Sequence, residues 1–193
     1  MTLRYLDLFC GIGGFRLAAE QFSKKFGGLE IVGSSDLDPL CQRFYERAFG
    51  SEGLFFSDVN NIRTDASDRN AKGLIDLPEF DLLLGGFPCQ PFANIGPRSG
   101  LHDPRGILIF KICDILKSYR PKLFVLENVQ KMRNIEKGET LGKIVAYLEE
   151  AGYRTHILDL CASNYGVPQQ RRRIFFCGVR RDREKEYSLP LPR

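Results

Sequence analysis

Asp7-Leu8-Phe9-Cys10-Gly11-Ile12-Gly13-Gly14-Phe15 decides how the rest of the chain is read. The apolar run Tyr5 to Phe9 ends on three closely spaced glycines, and a stretch with helical periodicity follows at once. Glycine permits a tight turn and lets the backbone approach a ligand that a Cβ would hold away. A strand that turns through glycines into a helix is the opening unit of an α/β domain. The spacing differs from the Gly-x-Gly-x-x-Gly of dinucleotide-binding turns. A purely structural turn fits these residues as well as a ligand-binding one does.

Outward from this turn, short apolar runs recur at Glu30 to Gly33, Asp81 to Leu84, Leu123 to Leu126, His156 to Leu160 and Ile174 to Val179, and they predict strands. Between them, Phe15 to Phe26, Pro39 to Phe49, Gly106 to Ser118 and Thr140 to Ala151 carry apolar residues at three-to-four spacing, the period of helices packed on a sheet. Strand and helix alternate, so the expected class is α/β with a doubly wound, mostly parallel sheet. Ligands then sit at the carboxyl ends of the strands. Arg63 to Lys72 is expected as a surface loop, residues 1–183 as one domain and residues 184–193 as a charged tail.

The chain has 193 residues, 43% hydrophobic and 27% charged, which is ordinary for a globular domain and excludes collagen-like or disordered classes. Acid and base within the first residues leave no signal-peptide core, and no apolar run of about 18 residues occurs. The expected compartment is the cytoplasm. Six cysteines (Cys10, Cys41, Cys89, Cys113, Cys161, Cys177) lie far apart with only two histidines, so no metal site is expected. Most of these cysteines are expected to be small buried residues. A net charge of +4 allows a nucleic-acid partner without requiring one, although Arg171 to Arg173 and Arg180, Arg181 and Arg183 gather the basic character near the C-terminal end.

Four further stretches carry chemistry. Ser34-Ser35-Asp36-Leu37-Asp38 places an acid about 20 residues beyond the glycine turn, where a carboxylate can accept from ribose hydroxyls. A helix N-cap is the competing role there, and Asp38 before Pro39 could equally fill it. Asp58, after a short apolar run, lies at the same edge and could receive an adenine amino group. Gly85-Gly86-Phe87-Pro88-Cys89-Gln90-Pro91-Phe92 makes a stiff loop after a strand. A cysteine so placed is unlike a core cysteine, and its thiolate would be a nucleophile. The glycines and prolines from Asn94 to Arg105 suggest a loop that moves over a bound substrate. Phe124-Val125-Leu126-Glu127-Asn128-Val129 ends an apolar run on an acid, fit either to protonate a substrate or to brace the next segment. In Pro168-Gln169-Gln170-Arg171-Arg172-Arg173-Ile174-Phe175, alternation along a strand sends Arg171 and Arg173 to one face and Arg172 to the other. Two guanidinium forks could then meet a carbonyl oxygen or a phosphate.

A Pro-Cys-Gln loop, then Glu-Asn-Val, then Gln-x-Arg-x-Arg, in this order behind the glycine turn, resembles the DNA cytosine-5 methyltransferases over nearly the whole chain. The resemblance implies a Rossmann-like methyltransferase fold and S-adenosyl-L-methionine as cofactor. Phe9, Gly11, Ile12, Gly13, Gly14, Asp36, Leu37, Asp58, Val59, Gly86, Pro88 and Leu108 would contact it; Leu37 stands where the family often has an aromatic ring. The implied catalytic residues are Cys89, Glu127, Arg171 and Arg173, with Asn128 bracing the Pro-Cys loop.

It further implies double-stranded DNA as substrate, the target base flipped out of the duplex, and a setting such as restriction-modification. A variable target-recognition region and a last Asn-bearing segment, which in the family follow these motifs, are not among the 193 residues. The fold is therefore expected to be incomplete at the C-terminus, the chain being either one half of a split enzyme with a complementary polypeptide as partner or a shortened form of a longer one, and inactive or nearly so alone. An RNA cytosine methyltransferase and a silent cofactor-binding regulatory module are the alternatives, with a nicotinamide dehydrogenase more distant.

Overall fold

The computed structural model describes residues 2–64, 73–88 and 107–187. Cys89, the loop from Asn94 to Arg105, most of the loop expected at Arg63 to Lys72, and the end of the charged tail lie outside the described residues. The chain forms two compact units, Met1–Gly86 with Ile115–Lys122, and Phe87–Asp114 with Leu123–Arg193.

The first unit is built on parallel strands. β1 (Leu3–Leu8) pairs with β2 (Leu29–Ser35) on one side and β4 (Leu82–Gly85) on the other, and β2 pairs with β3 (Leu54–Phe56). Tyr5, Leu6 and Leu8 of β1, Ile31 and Val32 of β2, and Leu83 and Leu84 of β4 are buried, as strands covered on both faces require. α1 (Gly14–Phe26) connects β1 to β2, and α2 (Pro39–Phe49) connects β2 to β3. The choice of cap left open by the sequence falls on Asp38, whose side chain accepts from the Leu40 amide at 2.8 Å with Pro39 in the first turn. β3, only three residues long, is the short apolar run ahead of Asp58. Asp81 fixes the entry to β4, accepting from the Arg4 amide at 2.9 Å and pairing with Lys122 at 2.7 Å.

In the second unit the strands run antiparallel. β7 (Arg172–Arg180) lies between β5 (Leu123–Val129) and β6 (Tyr153–Cys161), in register from Leu123 opposite Val179 to Val129 opposite Arg173. One face is core: Phe124, Leu126, Ile174 and Phe176 are fully buried, as are Ile144 and Leu148 of α4 (Glu139–Glu150). Gly178 is required here, since a Cβ would lie 2.0 Å from the Phe124 ring. α3 (Ile107–Tyr119) contributes residues to both units.

β5 is longer than the apolar run alone suggests. Pairing with β7 carries it through Glu127, Asn128 and Val129, so Glu127 belongs to the strand and does not follow it. Among the described residues, seven strands and four long helices make an α/β fold in which the parallel pairing belongs to the first unit. Among the described residues no helix is long and apolar enough to cross a membrane.

Candidate active site

The turn after β1 is shaped by backbone that ordinary residues avoid. Phe9 has φ +55°, and Gly11 and Gly13 have φ +53° and +89°. A left-handed residue other than glycine stores strain that the surroundings must hold in place, a condition concentrated at functional sites. Gly13 is the N-cap of α1 with no side chain capping the helix, so the first amides of α1 remain open to a ligand. A Cβ at Gly13 would lie 2.2 Å from the Phe49 ring, so packing as well as φ demands glycine. At Gly11 and Gly14 a Cβ would meet nothing within 4 Å among the described residues, which leaves room in front of both for another molecule.

Asp36, just past β2, ties this turn together. Its carboxylate accepts from the Gly11 amide at 2.8 Å and from the Asp38 amide at 2.9 Å. The expected ligand carboxylate is thus also the clamp that holds the turn. Ile12 and Leu37 leave 66% and 73% of their surfaces exposed, an apolar surface beside that clamp. Asp58 accepts from the Asn60 amide at 2.9 Å and caps a short turn, with Val59 buried behind it. Phe9, Gly11, Ile12, Gly13, Gly14, Asp36, Leu37, Asp58, Val59 and Gly86 all belong to the first unit, whereas Pro88 and Leu108 belong to the second.

In the second unit, Glu127, Arg171 and Arg173 converge on one cavity of about 230 Å³. Strand alternation accounts for Glu127 and Arg173, while Arg171 reaches the cavity from the loop just ahead of β7. Glu127 stands opposite Phe175 and Val129 opposite Arg173, so Glu127, Arg173 and Phe175 share a face. Arg173 Nε lies 2.5 Å from Glu127 Oε1, and its Nη1 donates to the Arg172 carbonyl at 2.9 Å. Arg173 is thereby spent on holding Glu127, while Arg171 is the exposed guanidinium on the cavity wall. The 162–171 loop that carries Arg171 is closed by a bond from the Ala162 amide to the Arg171 carbonyl at 2.9 Å.

Asn128, on the opposite face of β5 and buried, donates from Nδ2 to the Phe87 carbonyl at 3.0 Å and accepts the Val129 amide at 2.8 Å. The segment leading into Cys89 is therefore anchored to the strand that bears Glu127.

The profile of the C-5 cytosine-specific DNA methylase family matches residues 3–192. The chain belongs to this family. It is 40% identical over 180 residues to the type II methyltransferase M.BanI of Aneurinibacillus aneurinilyticus, a match covering 93% of this chain and 39% of that protein. To the type II methyltransferase M.NlaX of Neisseria lactamica it is 36% identical over 189 residues, covering 98% of this chain and 56% of the relative. The chain thus spans about half the length of the curated relatives it matches. Among solved structures, the fold is that of a Spodoptera frugiperda DNMT2 mutant, with a TM-score of 0.72 at 24% identity over 100% of this chain and 53% of that one.

Several features of this cytosine methylase family member are absent from the sequence reading. Cys161 lines the cavity with Glu127 and Arg171, its Sγ 3.1 Å from Ser163 Oγ, and hydrogen bonding to Ser163 lowers its thiol pKa. Cys10, Cys113 and Cys177 are the small buried residues expected of most cysteines. Tyr165 and Phe175 supply aromatic surface to the same cavity. The first unit also hides a polar cluster behind the glycine turn. Asp7 is fully buried, and Arg16 is buried with Nε 2.7 Å from Glu20 and Nη2 2.6 Å from Glu52. An acid inside an apolar strand and an arginine on the inner face of a helix were the signals available for them.

Proposed function

We propose that the chain carries the donor-binding and base-activating parts of a DNA cytosine-5 methyltransferase, acting in the cytoplasm in a setting such as restriction-modification. The observation that carries this reading is the cavity in which Glu127, Arg171 and Arg173 meet, with Arg173 locked onto Glu127 at 2.5 Å. A carboxyl and a free guanidinium on one wall can address a ring nitrogen with its exocyclic amine and a neighbouring carbonyl oxygen, the polar edge of cytosine.

The residues of the glycine turn fit S-adenosyl-L-methionine. The open space before Gly11 and Gly14 admits its methionine part, the uncapped amides of α1 suit its carboxylate, and Asp36 suits its ribose. Asp58 is assigned to the adenine amino group, and Ile12 and Leu37 to the adenine faces. When bound, the cofactor supplies an electrophilic methyl group on sulfur.

Carbon 5 of cytosine is too poor a nucleophile to accept that methyl unaided. In the proposed mechanism the Cys89 thiolate adds to carbon 6 while Glu127 engages nitrogen 3, which makes carbon 5 an enamine nucleophile. Arg171 holds the carbonyl oxygen, and Arg173 keeps Glu127 in place. Loss of the carbon-5 proton then expels the thiolate. The base must leave the duplex first. Selection and grip of the DNA are assigned to a target-recognition region outside these 193 residues, carried by a continuation of the chain or by a complementary polypeptide. Orienting the base is worth about 7 to 11 kcal/mol of barrier, which is why these residues without that region are proposed to be nearly inactive.

The test is methyl transfer from labelled donor to duplex DNA or to transfer RNA, with and without candidate partner polypeptides. Transfer to DNA that depends on a partner and disappears in Cys89→Ser supports the reading. Transfer to RNA alone, or full transfer in Cys89→Ser, overturns it.

A further inference from the structure

Asp7 is the most anomalous side chain of the first unit. It is 0% exposed, yet among the described residues neither carboxyl oxygen has a hydrogen-bond donor. Burying an unpaired carboxylate is among the costliest choices a fold can make, and such a group normally neutralises itself by taking up a proton. It lies on β1 immediately before the turn, opposite Ser34 of β2 and Leu84 of β4.

The groups around it cannot compensate its charge. Arg16 of α1 acts on Asp7 electrostatically, but two of its three nitrogens are committed to Glu20 and Glu52, and the third, Nη1, is buried with no partner within hydrogen-bond distance among the described residues, the Tyr5 hydroxyl being the neighbour that Arg16 affects. Asp36, beyond β2, repels a charge on Asp7. Tyr5 on β1, Cys10 in the turn and Tyr45 on α2, whose hydroxyl accepts from Ser34 Oγ at 2.8 Å, are each coupled to Asp7. Burial raises the titration range of all three, so they stay neutral and bring no charge to offset that of Asp7. β4 contributes only Leu82, Leu83, Leu84 and Gly85.

We propose that Asp7 is a positioning residue that acts as a neutral carboxylic acid, and that its deprotonation loosens the turn from Phe9 to Gly14. The link is geometric. Asp36 clamps Gly11 at 2.8 Å, and Asp7 precedes the left-handed Phe9 by two residues, so a second buried negative charge works against the clamp. Burial first, and then Asp36 against the pull of Arg16, push Asp7 up to about 8. The inference concerns the turn itself and stands whether or not the proposed reaction does.

The sign follows from linkage. A carboxyl with a raised pKa in the folded state stabilises the fold fully below its unfolded value near 4, and that contribution is lost as pH rises to about 8. The experiment is carbon-detected NMR of the Asp7 carboxyl, with amide hydrogen exchange at Gly11 and Gly13, whose amides are bonded to Asp36 and to the Cys10 carbonyl, from pH 6 to 9.5 on the wild-type chain and on Asp7→Asn. The Asp7 resonance is expected to titrate near pH 8. Protection of the two amides, corrected for intrinsic exchange, is expected to fall about tenfold between pH 7 and 9 in the wild type and to stay level in Asp7→Asn. Titration in the ordinary carboxylate range, which would mean that Arg16 pairs with Asp7 in solution, overturns the inference. Unchanged protection across pH 8, or an equal loss in Asp7→Asn, does the same. Should Asp7→Asn fail to fold, the wild-type titration and its coincidence with the loss of protection decide the matter.

Discussion

Replacing Asn128 by alanine removes two hydrogen bonds made inside the core of the second unit. Nδ2 no longer donates to the Phe87 carbonyl, a bond of 3.0 Å, and Oδ1 no longer accepts the Val129 amide, a bond of 2.8 Å. Asn128 is 2% exposed and Phe87 is 3% exposed, so water cannot step in at the carbonyl without opening the structure. Each buried group left unsatisfied costs roughly 1 to 3 kcal/mol, and a loss of about 2 to 4 kcal/mol is expected, a large part of an ordinary domain's stability. With a urea dependence of about 2 kcal/mol per molar, the midpoint should drop by roughly 1 to 2 M. Asn128→Asp separates the two bonds, because a carboxylate still accepts from Val129 but faces the Phe87 carbonyl with an acceptor. If the Phe87 bond positions Cys89, Asn128→Asp should lose methyl transfer well beyond what its stability loss explains. A midpoint shift in Asn128→Ala below about 0.3 M would refute the energetic argument, and an Asn128→Asp enzyme with ordinary turnover would refute the positioning one.

Gly13→Ala should cost at least about 2 kcal/mol and weaken cofactor binding, because its Cβ meets the Phe49 ring at 2.2 Å and its φ of +89° disfavours any side chain; unchanged calorimetric affinity would count against it. Glu127→Gln should keep the fold within about 1 kcal/mol, since its ion pair with Arg173 is only partly buried, while reducing methyl transfer by about a hundredfold or more. Arg173→Lys should lower turnover with little change in thermal midpoint, because a lysine cannot reproduce the fork that bonds Glu127 and the Arg172 carbonyl together; a rate within twofold of wild type would remove the positioning role given to it.

The parts of the fold that were legible in advance are those where local chemistry and tertiary packing agree. The glycine turn announced itself because Gly13 is needed twice over, for its φ and for Phe49. A cap ahead of Pro39 was expected, though the choice between Asp36 and Asp38 was settled only by the fold. Arg171 and Arg173 do line one cavity, but only Arg173 owes its direction to the period of a strand, since β7 begins at Arg172 and Arg171 stands in the loop before it. Other features depend on partners distant in sequence. The extension of β5 through Val129 comes from pairing with β7 some 45 residues later, since Glu127 and Asn128, which precede Val129, are poor strand formers. The antiparallel course of β7 is likewise a matter of chain return, invisible to periodicity. The helical stretch at Gln130–Gly138 contains Glu136 and Lys137 in left-handed conformations, which no residue-level preference would predict. Asp7 escaped notice because a single acid in an apolar run can as easily lie at a strand's edge as at its centre.

Asp36 lends itself to a simple count. A carboxylate offers about four acceptor positions, and the amides of Gly11 and Asp38 take one each. A nucleoside with vicinal hydroxyls would fill the remaining two and leave the group saturated. A deoxynucleoside would leave one acceptor short of a donor in a half-buried place. Discrimination between the two sugars would then arise from the protein's own backbone, which has already claimed half of the carboxylate before any ligand arrives.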